Sequence, residues 1–579
     1  MSHKDRDHTV KFDYQHEPLQ ETRSIRILEL LPGQPGSSLQ CRLRQVRLGH
    51  FWRYEALSYV WGDPDLIKKI YCGYKILGIT KNCSEALRFL RYEKKSRYLW
   101  VDSICIDQTS PLERNHQVTL MGKVYGNALG VIVWLGNNQT RNTDKAMTYI
   151  RHIAKAGNVR DTSQYARRVP ALTEFFALPW FSRVWPVQEI AFSLACKIIC
   201  GHYSIKADEL MTFLTIVKDF TMVNDYLHRV HVHRQMWSTT MLLRSRRLEA
   251  TDPRDKIFAF HGLLRRLGAS LPDPDYSIPA EQVYLKAAAA VIIHDGHLRI
   301  LASITGERLL EGLPSWVPDW SDSHPITEIV SWADYEKSQY AKLNFRLRSD
   351  SHLLSLWGVE VDQVAEHSVV FQAPSVGEQP RNQLSEIETI QEWLSMFKRR
   401  PLQIDPVEFF LDLVQKPWKR LHPQTKKSTK YILKYWIEGL ESFQFRQSKY
   451  TEAVPTLAQC EDLNDAITAC AKKGDRFGIF ISDEIRPFQE FLQTLLDRKV
   501  MFKTASNRLG IASRALQDGD RIALFRGVNV PMIIRRVDSK ICKFVAPAYI
   551  YDAMQESSGS WYKLANSHSP SVLQKFVMA

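Results

Sequence analysis

The fold is indicated first by two stretches, YEALSYVWGDP at residues 54–64 and YLWVDSICIDQ at residues 98–108. Each is a short apolar run that ends in aromatic, acidic or small residues, which is typical of a buried strand whose end helps to build a site. Two further runs of this kind follow, VIVWLG at 131–136 and ACKIICG at 195–201. Near-continuous apolar runs of this length predict strands that are covered on both faces, as in a parallel sheet.

Helical patterns separate these strands. NCSEALRFLRYE at 82–93 predicts a helix with Asn82 or Ser84 as its N-cap, and the run at 113–128 predicts an amphipathic helix. The second quoted stretch predicts a strand over 98–106, and the run at 195–201 is expected to be the last strand. The alternation predicts an α/β fold with a parallel, doubly wound sheet.

The character of the sequence changes along its 579 residues, which are too many for a single core. Residues 1–22 are polar and without periodicity, and they predict a disordered tail. Residues 23–205 contain the alternation of strands and helices, and residues 206–345 are mainly helical in pattern. Residues 346–579 predict an α+β region with antiparallel strands.

The chain is basic, with 77 Lys and Arg against 63 Asp and Glu and a net charge of +14. A basic surface attracts nucleic acid, but no zinc-finger or RNP-type pattern accompanies it, so we find no strong nucleic-acid signal. No apolar stretch approaches the roughly 20 residues that a membrane span needs. We therefore expect a cytoplasmic protein, with the nucleus as the alternative.

Metal binding is not expected from the histidines. His228, His231 and His233 alternate along the chain, but they lack a fourth ligand and the helical spacing of a zinc site.

Five motifs in a fixed order carry a family resemblance. They are YEALSYVWGDP, YLWVDSICIDQ, ERNHQV at 113–118, VIVWLG and RVWPVQE at 183–189. This set resembles the fungal heterokaryon-incompatibility (HET) domain over roughly residues 50–205. The later segments TDPRDKIFA at 251–259, DYS at 275–277 and LPSWVPDW at 313–320 resemble the rest of full-length HET proteins. Two positions depart from the family pattern: Asp107 stands in place of Asn, and Pro186 interrupts the RxWxxQE run.

The resemblance implies a function. HET proteins act in nonself recognition between filamentous fungi, where the domain triggers programmed cell death. It also implies an incompatibility partner protein or self-association. The main expectation is therefore an effector whose HET domain works as a signalling module.

A weaker resemblance implies a possible reaction. The first motif resembles the first strand and loop of a TIR domain, and RVWPVQEI at 183–190 resembles the TIR element that carries a catalytic glutamate. The implied fold is a TIR-like (flavodoxin-like) parallel sheet. The implied alternative function is hydrolysis of NAD(P) or a related nucleotide by Glu189. NAD would then be a substrate, and no cofactor is expected.

The predicted site lies where strand ends meet the helix of Glu189, because ligands bind at the carboxyl ends of strands in open α/β sheets. Glu189 is the catalytic candidate, since a carboxylate beside the ribose stabilises an oxocarbenium-like transition state. The predicted ligand-binding residues are Ser58, Trp61, Gly62, Asp63, Asp102, Asp107, Arg183, Trp185 and Gln188.

Structural alternatives stay open for the same residues. Glu189 and Arg183 could form an ion pair that only fixes the helix, and Trp61 and Trp185 could be core residues. Asp102 in an apolar run needs a partner, either Arg114 or a backbone N–H.

Overall fold

The structure is a computed structural model, and its described part has gaps. The described residues are 13–49, 52–137, 141–159, 162–217, 238–323, 346–348, 352–372, 408–414, 486–528, 530–551 and 573–579, together with five isolated residues between 389 and 429. The histidines at 228, 231 and 233 lie outside the described residues. The chain divides into two compact units, Met1–His294 and Asp295–Ala579. The boundaries expected at 205 and 345 stay predictions.

Among the described residues of the first unit, nine strands form one sheet, in the order β5-β4-β2-β1-β6-β3-β7-β8-β9. The strands are β1 (Ser24–Leu30), β2 (Gln40–Arg47), β3 (Glu55–Tyr59), β4 (Lys68–Cys72), β5 (Lys75–Ile79), β6 (Arg97–Trp100), β7 (Val131–Trp134), β8 (Cys196–Cys200) and β9 (Tyr203–Lys206).

Helices connect and cover these strands. The described helices of the first unit are α1 (Lys81–Leu90), α2 (Asp102–Cys105), α3 (Pro111–Asn127), α4 (Arg141–Ala156), α5 (Thr162–Phe176), α6 (Pro179–Ser182), α7 (Pro186–Phe192), α8 (Ala207–Ile216), α9 (Ser238–Ser245), α10 (Asp255–Phe258), α11 (His261–Arg266) and α12 (Ala280–Asp295). Within the described residues, no helix has the length and apolar character of a membrane-spanning segment.

The centre of this sheet is the predicted parallel core. Strands β6, β3, β7 and β8 are neighbours and run parallel to one another. Their spatial order, numbered by their order in the chain, is 2-1-3-4. After β3 the chain adds β6 on one side of β3, and then β7 and β8 on the other side, so the strand order reverses between β3 and β7. The predicted α/β fold with parallel strands is confirmed for these four central strands. Local apolar runs are enough to specify such buried strands.

The sheet as a whole is mixed, so the prediction of a parallel sheet is wrong at its edges. Strand β1 pairs antiparallel with both β2 and β6, and β9 pairs antiparallel with β8. The run at 195–201 is therefore not the last strand. The hairpin of β4 and β5, which pair antiparallel, was not predicted.

The predicted strand over 98–106 is also wrong in its second half. Strand β6 ends at Trp100, and the short helix α2 begins at Asp102. The Asp102 carboxylate accepts a hydrogen bond from the Ser103 backbone N–H at 2.8 Å. Such local side-chain bonds compete with strand pairing, so the chain turns and leaves the Asp102 side chain at the end of the strand.

The N-cap of α1 differs from the predicted one. Thr80 occupies the cap position and its hydroxyl accepts a hydrogen bond from the Cys83 N–H at 3.3 Å. Asn82 lies inside the helix, and its amide donates to the Val60 carbonyl at 3.1 Å. Ser84 is buried within the helix.

Part of the predicted tail is hydrogen-bonded to the first unit. The N–H groups of Asp13 and Tyr14 both donate to the Ile76 carbonyl at 3.1 Å, and the Asp13 carboxylate accepts from the Ile76 N–H at 2.6 Å. The His16 ring contacts the Ile104 carbonyl at 2.8 Å. A free tail is therefore wrong for these residues, and residues 1–12 lie outside the described part of the chain.

The second unit is rich in antiparallel strands, as predicted. Its described elements are a 3-10 helix (Arg299–Ser303), β10 (Arg346–Arg348), β11 (Leu353–His367), α13 (Arg486–Leu496), β12 (Lys499–Thr504), β13 (Leu509–Ser513), β14 (Arg521–Phe525), β15 (Met532–Arg536), β16 (Ile541–Pro547), β17 (Tyr549–Ile550) and β18 (Gln574–Met578).

One long strand organises this second sheet. Strand β11 pairs with β18 through its first part, with β14 through its middle and with β12 through its end. Because β14, β15, β16 and β18 follow one another as neighbours, the pairing of β11 with both β14 and β18 closes a ring of five strands. A closed ring leaves no exposed edge among its members.

Candidate functional site

Four polar side chains come together at the carboxyl edge of the parallel core. Ser58 lies near the end of β3, Asp102 follows the end of β6, and Arg183 and Glu189 come from the segment that includes α7. Ser58, Asp102 and Arg183 each lie close enough to Glu189 to change its pKa. The structure thus places the predicted catalytic residue beside three of the predicted ligand-binding residues.

Glu189 is a buried acid whose pKa is strongly raised. The residue is 5% exposed. Burial, and to a smaller extent the nearby Asp102 carboxylate, raise its pKa, whereas the Ser58 hydroxyl, the Arg183 guanidinium and the Tyr125 hydroxyl lower it, and the result is a pKa of about 7. Its Oε2 atom has no hydrogen-bond partner among the described residues. A buried acid with an unsatisfied oxygen and a pKa near neutrality is typical of a functional site.

The hydroxyls beside Glu189 have other partners as well. Ser58 Oγ accepts a hydrogen bond from Trp180 Nε1 at 2.8 Å, so its own proton is free to point elsewhere. The Tyr125 hydroxyl donates to the Leu57 carbonyl at a long 3.4 Å. Both hydroxyls lower the pKa of Glu189. Neither makes a hydrogen bond to Glu189 Oε2.

Arg183 is held by the backbone of β3. Its Nη1 atom donates to the Tyr59 carbonyl at 2.5 Å. No ion pair within 4.0 Å joins Arg183 to Glu189, so the purely structural ion pair between them is not formed. The guanidinium still lowers the pKa of both Glu189 and Asp102 through its charge. Such a cation beside two acids can hold a phosphate or another anion.

Asp102 finds its partners locally. Trp61 Nε1 donates to Asp102 Oδ2 at 3.0 Å, and the Ser103 N–H donates to Oδ1. Burial raises the pKa of Asp102, against the lowering effects of Arg183, the Ser103 N–H and the Trp61 indole. The predicted backbone N–H is thus a partner, whereas Arg114 packs elsewhere, with its guanidinium 4.0 Å from the centre of the Tyr276 ring.

Gly62 shapes the loop after β3. Its φ of +73° is in the left-handed region, which glycine adopts without strain. A Cβ at this position would lie 2.6 Å from Asn82 Nδ2. The backbone at Gly62 therefore packs closely against the Asn82 side chain. The preceding residue, Trp61, donates the hydrogen bond to Asp102.

Asp63 and Asp107 act within their own turns. Asp63 Oδ1 accepts from the Asp65 N–H at 3.1 Å, and Asp107 Oδ1 accepts from the Thr109 N–H at 3.0 Å. The structure shows no contact of either carboxylate with Glu189. These short side chains satisfy backbone groups two residues on, as Asp commonly does in turns.

Trp185, at the N-cap of α7, and Gln188, within α7, contact a later segment of the chain. Trp185 Nε1 donates to Asp255 Oδ2 at 3.1 Å. Gln188 Oε1 accepts from the Gly262 N–H at 3.1 Å. Both precede Glu189 in the sequence, and their polar groups are hydrogen-bonded to residues outside the five motifs.

Trp180 and Tyr125 belong to the site but were not predicted. Trp180 is fully buried in α6, and Tyr125 is fully buried in α3. In the sequence, Tyr125 is one position within the amphipathic helix predicted over 113–128. Trp180 follows Pro179, a helix-start signal that could have directed attention to it.

The arrangement can support acid–base or electrostatic chemistry. Because the pKa of Glu189 is about 7, both protonation states are present near neutral pH. Within the described residues, no three His, Cys, Asp or Glu side chains are grouped so that they could hold a metal ion.

Comparisons with known proteins agree on one family. Residues 54–189 match the family model described as "Heterokaryon incompatibility protein (HET)". The chain is 24% identical to "Heterokaryon incompatibility protein 6, OR allele" of Neurospora crassa, over 51% of this chain and 58% of that protein. The similarity therefore spans less than two thirds of this relative. No solved structure matches the chain.

Proposed function

The chain belongs to the heterokaryon incompatibility (HET) family, and on this basis we propose that it is an effector of nonself recognition that triggers programmed cell death in a filamentous fungus. The family match and the name of the Neurospora relative support a role in fungal incompatibility. The trigger would be an incompatibility partner protein or a second copy of the chain. We place the effector in the cytoplasm, with the nucleus as the alternative, and a fluorescent fusion expressed in the fungus tests this.

The proposed activity of the HET domain is hydrolysis of NAD(P) or a related nucleotide. The observation that carries it is Glu189: a buried carboxyl with a free oxygen and a pKa of about 7, at the carboxyl edge of the parallel core. The 2-1-3-4 order of the core strands is the order of flavodoxin-like sheets, and it supports a TIR-like fold. In such sheets ligands bind at the carboxyl ends of the strands, where the strand order reverses. Ser58 lies near the carboxyl end of β3, which is one of the two strands at this point.

The chemistry follows from the charges. When the nicotinamide–ribose bond breaks, nicotinamide leaves with the bonding electrons and positive charge develops on the ribose. Ionised Glu189 would stabilise this charge, and water would then add to the ribose carbon and give up a proton to the Glu189 carboxylate. The Arg183 guanidinium is suited to a phosphate of the substrate, because it has donors left beside its bond to Tyr59.

The test follows nicotinamide release by the full chain incubated with NAD. Glu189→Gln keeps the size of the side chain but cannot ionise, so we expect release to fall by at least about 100-fold. Glu21→Gln removes an exposed carboxylate of the same unit and should release nicotinamide at the wild-type rate. Equal rates for Glu189→Gln and wild type, or no release by the wild type in any oligomeric state, would contradict the hydrolase.

A second candidate is a signalling module without catalysis, which acts by self-association or by binding a partner. The low exposure of Glu189 favours this candidate, because a sealed carboxyl can also be a core group. Expression in the fungus separates the two. A Glu189→Gln chain that still kills the cell identifies the signalling module, whereas loss of killing together with loss of nicotinamide release identifies the hydrolase.

A further inference from the structure

Residues 249–277 hold the part of the chain that carries Glu189, and we call this segment the brace. It lies outside the matched residues 54–189. Near its start, the Glu249 carbonyl accepts from the Val184 N–H at 3.0 Å and the Glu249 N–H donates to the Ser182 carbonyl at 2.6 Å. These two bonds are made by the residues on either side of Arg183, so the backbone at Arg183 is held against Glu249.

The brace reaches α7 at two more points. Asp255 Oδ2 accepts from Trp185 Nε1, four residues before Glu189, and the Gly262 N–H donates to Gln188 Oε1, one residue before it. Gly262 approaches so closely that an added Cβ would lie 2.7 Å from Gln188 Oε1.

Asp255 is itself fixed from the opposite side. Its Oδ1 accepts from the Tyr276 hydroxyl at 2.5 Å, so both carboxylate oxygens are engaged. The Arg114 guanidinium lies over the Tyr276 ring, and Asn115 Oδ1 accepts from the Tyr276 N–H at 2.8 Å. The brace thus connects α3, which carries Arg114 and Asn115, with α7.

Helix α7 needs such support. It has seven residues, Trp185 at its N-cap makes no side-chain capping bond, and Pro186 follows. Helices this short are not stable by themselves in water, so their direction is set by tertiary contacts. The brace supplies polar contacts on the residues around Glu189.

We propose that Asp255 is a positioning residue for Glu189: by holding Trp185 and Tyr276 together it fixes α7, so the functional HET unit extends through the brace to residue 277. The catalytic part of this inference rests on the proposed hydrolase. Asp255 acts through Trp185 and is not expected to contact the nucleotide.

The test compares single donor deletions in the full chain. Trp185→Phe removes the indole N–H that reaches Asp255 and keeps an aromatic ring. Tyr54→Phe is the matched control, because it removes a buried hydroxyl that donates to the Val124 carbonyl at 2.7 Å and makes no hydrogen bond to α7. Two readouts are used: kcat and KM for nicotinamide release from NAD, and deuterium uptake of the peptide 183–192.

For Trp185→Phe we expect kcat to fall about 10-fold with KM changed less than about twofold, because a displaced catalytic group costs rate more than binding. Uptake in 183–192 should rise. Tyr54→Phe should match wild type in both readouts. Asp255→Asn, which keeps an acceptor oxygen, should retain more activity than Asp255→Ala.

The outcomes separate this inference from the hydrolase itself. If the wild type is active and Trp185→Phe equals Tyr54→Phe in kcat, Asp255 does not position Glu189. If the wild type releases no nicotinamide, the proposed hydrolase is wrong, and deuterium uptake alone tests whether the brace fixes α7. Raised uptake in Trp185→Phe alone then supports the brace, and unchanged uptake overturns it.

Discussion

Glu113, in the ERNHQV motif, neutralises a buried arginine. Its carboxylate pairs with Arg26 of β1, and the side chains are 11% and 4% exposed. Arg26 also donates to the Cys105 and Glu17 carbonyls at 3.0 and 2.6 Å, and Glu113 accepts from the Asp107 N–H at 2.7 Å. This residue therefore ties α3 to β1 and to the turn after α2, beyond the helix-start role that its position suggests.

Removing this acid should destabilise the first unit strongly. In Glu113→Ala the Arg26 charge stays buried without its partner, which costs about 3–5 kcal/mol of unfolding free energy. Glu21→Ala breaks the Glu21–Arg47 pair, whose side chains are 58% and 55% exposed, and should cost less than about 1 kcal/mol. Urea unfolding of both variants measures the two values. Similar losses in the two variants would show that the buried pair is not what holds these elements.

The pKa of Glu189 predicts a pH dependence of stability. Because the folded pKa is about 7 and the ordinary value is 4.5, folding favours the protonated form. This contribution is complete below pH 4.5 and is lost as the pH rises through about 7. Glu189→Gln cannot ionise, so it should match wild type at pH 4.5 and exceed it at pH 8 by roughly 3 kcal/mol. Denaturant unfolding across this range measures the difference, and a pH-independent difference would contradict the raised pKa.

At the scale of elements, the start of α1 depends on one hydroxyl. Thr80 caps the helix, whereas Asn82 holds the Val60 carbonyl and Ser84 packs inside. Thr80→Ala should therefore cost roughly 1 kcal/mol of unfolding free energy. Ser84→Ala, at one of the two positions that the sequence suggested as the cap, should cost distinctly less. Thermal unfolding of both variants decides between the two positions, and a larger loss for Ser84→Ala would place the cap there.

At the scale of the whole molecule, the first compact unit extends well beyond the family match. The unit reaches His294, and the brace at 249–277 contacts the residues around Glu189. A fragment of residues 13–294 should therefore unfold in one cooperative transition. A fragment that ends at 205 loses the partners of Trp185 and Gln188, so it should melt at a lower temperature and bind a hydrophobic dye. Equal melting temperatures for the two fragments would contradict this.

The sequence alone determined the parallel core and the family. The apolar runs around Ser58, Trp100, Val133 and Ile198 specify buried strands because the pattern lies within a few consecutive residues. The ordered motifs likewise named Ser58, Asp102, Arg183 and Glu189 as residues of one site.

The antiparallel edges of the sheet, the early end of β6 and the partners of the site residues depend on contacts that are distant in the chain. Trp185 meets Asp255, which is 70 residues later in the chain, and Ser58 meets Trp180, which is 122 residues later. Such contacts leave no local periodicity, and an acid on a helix has the same pattern whether it faces water or the core. The burial that raises the pKa of Glu189 is therefore a property of the packed fold, since it arises from side chains that only folding brings together.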